Sequence, residues 1–208
     1  MTLKVVNLGL PKSGTSTLAR ALREAGYRVA DHRLRERERD EPGKRRVFVA
    51  ELLYRGYYKS GDPMHYMQRY EAISEMNFMH GKKSIWAQCD FMLLRRLKQF
   101  YPNIKFIATR REPESHSRSI MNWNNLGTKR LGQYPVPGLP PGFGSTTDQQ
   151  IRWISAHHET LNHWFRDDSD FLEVDVADPD AQSKIGKFLG RDLPWWGREN
   201  ANPNPSEN

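Results

Sequence analysis

Short apolar runs alternate with helically spaced apolar positions along this chain, and the alternation predicts most of its elements. Residues 4–8 form an apolar run that stops at Gly9, and between residues 15 and 25 the positions Leu18, Ala21, Leu22 and Ala25 recur at helical spacing. Gly26 ends that helix and residues 27–30 predict a second short strand, so a β-α-β unit opens the protein. Helices are predicted over 47–58 and 64–73, separated by the turn Ser60-Gly61-Asp62-Pro63, with Met64, Met67, Met76 and Met79 as packing residues. A strand at 84–87, a helix at 91–100 and a clearer strand at 104–109, introduced by Tyr101-Pro102-Asn103, come next. Pro113 stands where a helix starts and 114–123 continues it. A helix at 147–165, a strand at 170–174 and a helix at 180–189 closed by Gly190 complete the chain. This order predicts an α/β fold in one domain over 1–208: a three-layer parallel sheet with helices on both faces, binding ligands beyond the carboxyl ends of its strands.

Two stretches break the pattern. Residues 28–46 are dense in both signs of charge and poor in apolar side chains, which predicts a solvated helix or loop outside the core, with an anion-binding lid as the alternative. Residues 132–146 are rich in glycine and proline and predict a long structured loop or an active-site cover. With 208 residues, 37% of them hydrophobic, the chain can bury the core of one domain. The net charge of +7 suits anionic partners without choosing among nucleic acid, membrane surfaces and phosphorylated or sulfated small molecules. Cys89 is the only cysteine, which excludes an intramolecular disulfide and a cysteine-based metal site and fits a reducing cytoplasm. No apolar stretch reaches the roughly 18 residues of a membrane span, so neither export nor membrane insertion is predicted.

The candidate chemistry sits between the first strand and first helix, in Gly9-Leu10-Pro11-Lys12-Ser13-Gly14-Thr15-Ser16-Thr17. A glycine-bearing loop that opens a helix offers backbone N–H groups and the positive helix end to an anion. A nucleoside-triphosphate loop would carry lysine directly after its last glycine. Here Thr15 follows Gly14 and Lys12 precedes it, the wrong order for an ordinary ATPase or kinase.

The segment from Pro11 to Leu18 instead resembles the 5′-phosphosulfate loop of the sulfotransferase family, approximately P-K-[ST]-G-T-[ST]-x-L, which likewise joins the first strand to the first helix. A second motif is similar as well. The family holds the donor's 3′-phosphate with an arginine at a strand end, in the pattern R-[DN]-P, and a serine eight positions on; here Arg111-Glu112-Pro113 is followed by Ser119. The tail from Phe188 to Gly197, with Arg198, looks like a bacterial-type branch, whereas the glycine-rich closing loop of the steroid and phenol enzymes is missing. Thr17 stands where many members carry an adenine-stacking tryptophan.

The resemblance implies a P-loop nucleotide-hydrolase-like fold and a sulfotransferase using 3′-phosphoadenosine 5′-phosphosulfate as co-substrate, with no metal. It implies donor binding by Pro11, Lys12, Ser13, Gly14, Thr15, Ser16, Thr17, Arg111 and Ser119, with Lys12 also neutralising charge on the leaving phosphate. For the base that takes the acceptor's proton, His32 and Asp90 compete nearly level, with Glu75 third. His157, His158 and His163 are read as surface or packing residues rather than metal ligands. The expected partner is a small-molecule acceptor of unspecified class, without nucleic acid or membrane, and a homodimer is left open. A non-catalytic binder of nucleotides or polyanions with the same fold, or a P-loop kinase, is the alternative.

Overall fold

The computed structural model of the protein describes residues 2–35, 38 and 46–199. Its centre is a five-stranded, wholly parallel sheet. The strands are β1 (Val5–Asn7), β2 (Val29–Ala30), β5 (Ala72–Ile73), β8 (Lys105–Arg110) and β9 (Phe171–Asp175), in the spatial order β2-β5-β1-β8-β9. Two antiparallel pairs lie outside it: β3 (Arg33–Arg35) with β4 (Arg46–Phe48), and β6 (Asn77–His80) with β7 (Lys83–Trp86).

Alternation along the strands explains the layers. Val6, Ile73 and Phe106 point into one buried cluster with Leu52 and Leu53 of α2 (Val49–Ser60) and Leu93, Leu94 and Leu97 of α3 (Phe91–Phe100). Their strand neighbours Val5, Ala72 and Ile107 point the other way, onto Leu18, Ala21 and Leu22 of α1 (Thr15–Glu24) and Ile185 of α7 (Ala181–Leu189). A strand buried on both faces is apolar at successive positions and needs a helix on each side, as parallel sheets require. The expected α/β three-layer architecture is therefore what forms. A third cluster packs Leu10 against Ile120 of α4 (Pro113–Met121), Leu131 of the single turn α5 (Leu131–Gln133), Trp153 and Ile154 of α6 (Thr147–Trp164), and Val136 and Leu139. It ties the glycine- and proline-rich segment to the back of the loop after β1.

The fold corrects three expectations. Residues 64–73 are not a helix: Met67 N–H and Tyr70 N–H donate back three residues, to Met64 and Met67 carbonyls, in successive turns. The chain then enters the sheet as β5 between β2 and β1. Three-residue spacing of Met64, Met67 and Tyr70 arises equally from such turns, and Ala72 and Ile73 are buried on opposite faces, which only a strand allows. Asn77–His80 is an unpredicted strand, completing a hairpin with β7. The charged stretch 28–46 does enter the core: Leu34 and Val47 are paired across β3 and β4 and are both buried. Residues 36, 37 and 39–45 lie outside the described residues. Among the described residues, no helix is long and apolar enough to cross a membrane.

Candidate functional site

A cavity of about 410 Å³ opens at the carboxyl edge of the sheet. Its lining comes from residues that follow successive strands: the loop after β1, Asp31 and His32 after β2, Glu75 after β5, and Arg111 after β8. In an open α/β sheet this edge is where helix N-termini converge and ligands bind.

The loop is shaped by close backbone approach. A Cβ on Gly9 would lie 2.2 Å from Thr109 Oγ1 and 2.6 Å from the Thr109 carbonyl. Gly14 adopts φ 109° and a Cβ there would lie 2.6 Å from Val176, just past β9. Both positions are thereby restricted to glycine, Gly14 by its left-handed backbone as well. Gly14 is also the N-cap of α1 and no side chain caps that helix, so its first-turn N–H groups face the cavity mouth without a side-chain acceptor.

Asn7 joins the strand ends. Its amide donates to the Ser74 carbonyl after β5 (2.9 Å), and its oxygen accepts from Gly9 N–H (3.1 Å) and Thr109 N–H (3.2 Å). Ser13 Oγ lies 2.8 Å from Thr109 Oγ1 and is fully buried, so this hydroxyl is committed to the sheet. Two imidazoles hold the loop from behind. His116 Nε2 lies 2.9 Å from the Pro11 carbonyl and His157 Nε2 lies 2.9 Å from the Leu8 carbonyl. A carbonyl can only accept, so both nitrogens carry the proton. These bonds turn both carbonyls away from the cavity, while Gly9 N–H and Ser13 N–H are used within the loop, by Asn7 and the Leu10 carbonyl.

Burial pushes His116 down to about 3 and His157 down to about 4, so both are neutral at pH 7. An unfolded histidine protonates near 6.5. The stability these groups contribute is therefore full above about pH 6.5 and is lost as pH falls toward 4. Glu75, described below, offsets part of that loss. Denaturation midpoints between pH 7 and 4.5 should decline, and His116→Gln should narrow the decline while lowering stability at pH 7. A variant profile parallel to the parent's would show that His116 does not carry the effect.

Lys12 has φ 69°, left-handed for a non-glycine residue, and its ammonium lies 3.5 Å from the centroid of the Trp123 ring. Burial, then Arg111, lowers its pKa to about 8, against the opposing pull of Glu75. Glu75 accepts a hydrogen bond from Thr15 Oγ1 (3.1 Å), and its other oxygen is 3.9 Å from His32 Nε2. Burial first, then Asp31, raises Glu75 to about 7. His32 is lowered to about 4 by burial and then by Arg33, with Arg130 acting in the same direction. Asp31 is occupied by Ser74 Oγ (2.8 Å) and Arg23 (3.2 Å).

The two arginines ending β8 separate. Arg110 pairs with Glu173 at 2.8 Å on β9, whereas Arg111 turns into the cavity with its Nε buried and without a hydrogen-bond partner. Burial, then the charge of Arg198, lowers the Arg111 pKa. Glu112 caps α4, accepting from Glu114 N–H (3.0 Å) and Ser115 N–H (2.8 Å), so the longer acid performs the work of an Asp or Asn cap.

Of the residues expected in the donor site, Pro11, Lys12, Gly14, Thr15, Ser16 and Arg111 line the cavity, as do His32 and Glu75. Ser13 and Thr17 are buried beside it, and Ser119 on α4 is outside the lining. Asp90 is a correction. It caps α3 through Met92 N–H (3.0 Å) and Leu93 N–H (3.2 Å), and accepts from Tyr54 OH at 2.7 Å. It faces a different surface recess, away from Lys12. His157 and His158 are packing residues as expected, but each bonds a specific partner, His158 meeting Glu173 at 3.2 Å. Asn7 had a usable signal, a polar residue inside an apolar run; His116 and Arg130 had none. Among the described residues no group of three metal-ligating side chains converges.

The family described as "Sulfotransferase domain" matches residues 4–171. A solved structure that matches is the crystal structure of mouse sulfotransferase SULT7A1 complexed with PAP, 16% identical, over 98% of this chain and 68% of that one, with a TM-score of 0.42. No curated protein sequence matches the chain.

Proposed function

From the premise that this chain belongs to the sulfotransferase family, and so is a transferase of sulfuryl groups, we propose that its donor is 3′-phosphoadenosine 5′-phosphosulfate and that Glu75 accepts the proton of a hydroxyl or amine acceptor. One observation carries the reading: Lys12, Arg111 and Glu75 line the same cavity at the mouth of α1. Each fits one part of the reaction. The uncapped helix start and Lys12 suit the 5′-phosphosulfate, where charge develops on the leaving phosphate. Arg111, with a buried unpaired Nε and Arg198 near enough to depress it, suits a dianionic 3′-phosphate. Glu75, held near 7, is half ionised at neutral pH, which favours a general base.

In the transfer, the acceptor oxygen forms a bond to sulfur while the bond from sulfur to the bridging phosphate oxygen breaks, the electron pair leaving with that oxygen. Lys12 neutralises the leaving group; Glu75 takes the acceptor proton. Thr15 fixes the orientation of the Glu75 carboxylate. The chemistry is positioning and charge neutralisation, as in phosphoryl transfer.

The donor assignment is tested by calorimetric titration with 3′,5′-adenosine bisphosphate, 5′-AMP and ATP. Hydrogen bonds to a charged group contribute about 1.5 to 3 kcal/mol, so nucleotides lacking the 3′-phosphate should bind at least about tenfold more weakly. Arg111→Ala should erase that difference while leaving turnover at saturating donor nearly unchanged, because the contact is remote from the transferred group. Equal affinities with and without the 3′-phosphate in the parent protein would remove Arg111 from the donor site.

A further inference from the structure

The cavity continues past Lys12 and Glu75 into a part the donor reading leaves unassigned. Its walls are Phe78 and Met79 of β6, and Leu126 and Arg130 of the π-helical turn Leu126–Arg130. Arg33, at the start of β3, completes it. The apolar residues suit the body of a small organic molecule. The polar groups are one-sided. Arg33 and Arg130 line the cavity together with His32, and both act as cations on that imidazole, which neighbours Glu75. Arg130 donates to the Met79 carbonyl, a bond that uses one of five guanidinium donors and fixes the side chain in the wall. Arg33 Cζ lies over the Phe48 ring, 4.4 Å from its centroid. Asn77 also lines this part; it is 5% exposed, and its Nδ2 is buried with no hydrogen-bond partner.

Among the described residues, every carboxylate that lines the cavity is already engaged. Asp31 serves Ser74 and Arg23, Glu75 serves Thr15, and Glu199 pairs with Arg20 at 2.9 Å. The recess is thus rich in donors and short of acceptors. A neutral phenol or sterol bound there would cover guanidinium groups without supplying an anion, a costly arrangement.

We propose that the acceptor is a small hydroxyl compound carrying its own carboxylate, which Arg130 and Arg33 bind while its hydroxyl is presented to Glu75. This rests on the donor reading above, and its chemistry is unchanged: the acceptor oxygen bonds to sulfur and its proton passes to Glu75. The carboxylate takes no part in bond making; it sets orientation and selects the substrate.

The test uses protein loaded with 3′,5′-adenosine bisphosphate and titrated with paired acids and methyl esters: 4-hydroxyphenylacetate, 3-(4-hydroxyphenyl)propanoate and 3-hydroxybutanoate against their esters. At least one acid should bind about tenfold or more tightly than its ester, the scale of a charge-assisted contact. Arg130→Gln should bring that ratio toward one without weakening the nucleotide, whereas Arg130→Lys should keep most of it. Arg33→Gln, on an exposed residue, repeats the test should Arg130→Gln melt early. No acid binding more tightly than its ester, or a ratio untouched in both glutamine variants, overturns the proposal. Failure of the nucleotide itself to bind appears before any acceptor is added; it defeats the donor reading, and the acceptor assignment falls with it.

Discussion

Lys12→Ala should lower turnover by about two to three powers of ten, the scale of losing one preorganised donor to charge that develops in the transition state. The backbone supplies a control. Residue 12 sits at φ 69°, which strains alanine as much as lysine, so the substitution removes the ammonium without relieving the loop. Lys12→Gly relieves the strain and removes the same charge; equal losses of turnover in the two variants would assign the effect to the ammonium. In the parent, Lys12 is lowered only to about 8 and is mostly protonated at pH 7, and a polyanionic donor would raise it further. Near-normal turnover in a folded Lys12→Ala protein would remove Lys12 from the mechanism.

Glu75→Gln should lower kcat by about two to four powers of ten, the usual contribution of a positioned base, at nearly unchanged donor affinity. The pH profile separates it from its neighbour. With Glu75 as base, kcat/KM rises through a limb near 7 and falls as Lys12 deprotonates near 8 in the free enzyme. With His32 as base, the rising limb would sit near 4. A limb at 4 that survives in Glu75→Gln would transfer the role to His32. Stability moves oppositely to activity. A carboxyl whose folded pKa stands above its unfolded value costs stability as pH rises from about 4.5, in full above about 7. Glu75→Gln should therefore melt higher than the parent at pH 8 and about equally at pH 4, which a merely structural carboxylate would not do.

The parts of the fold legible in the sequence were those where one physical signal dominated. The run ending at Gly9, the helical spacing of Leu18, Ala21 and Leu22, and Pro113 at a helix start each have a single reading. What was hidden had two. Met64, Met67 and Tyr70 repeat every third residue, as helix and consecutive turns both allow, and only the two-sided burial of Ala72 and Ile73 decides. The charges of residues 28–46 concealed Leu34, since one buried residue between two arginines leaves no period to detect. The site divided similarly. Lys12 and Arg111 stand next to glycine and proline punctuation, so local order exposes them. Asp90 was attractive for the same local reason, an acid after a strand, but helix capping uses that position too, and here it does. Glu75 rises above it through Thr15 and His32, which are distant in the chain and near only once β5 pairs with β1.

Gly14 and Val176 set a timetable for the protein as it is made. The loop after β1 is made well before the residues that back it: its floor against Gly14 is Val176, and its carbonyl anchors are His116 and His157. Its strand neighbours, at residues 72 and 105, also come late. Contacts of such sequence separation close slowly. A nascent chain therefore carries the loop without its backing until the strand after residue 170 docks. Chains truncated before that strand would hold the whole loop and lack its backing, so the short signature by which the loop is recognised is by itself no measure of a formed site.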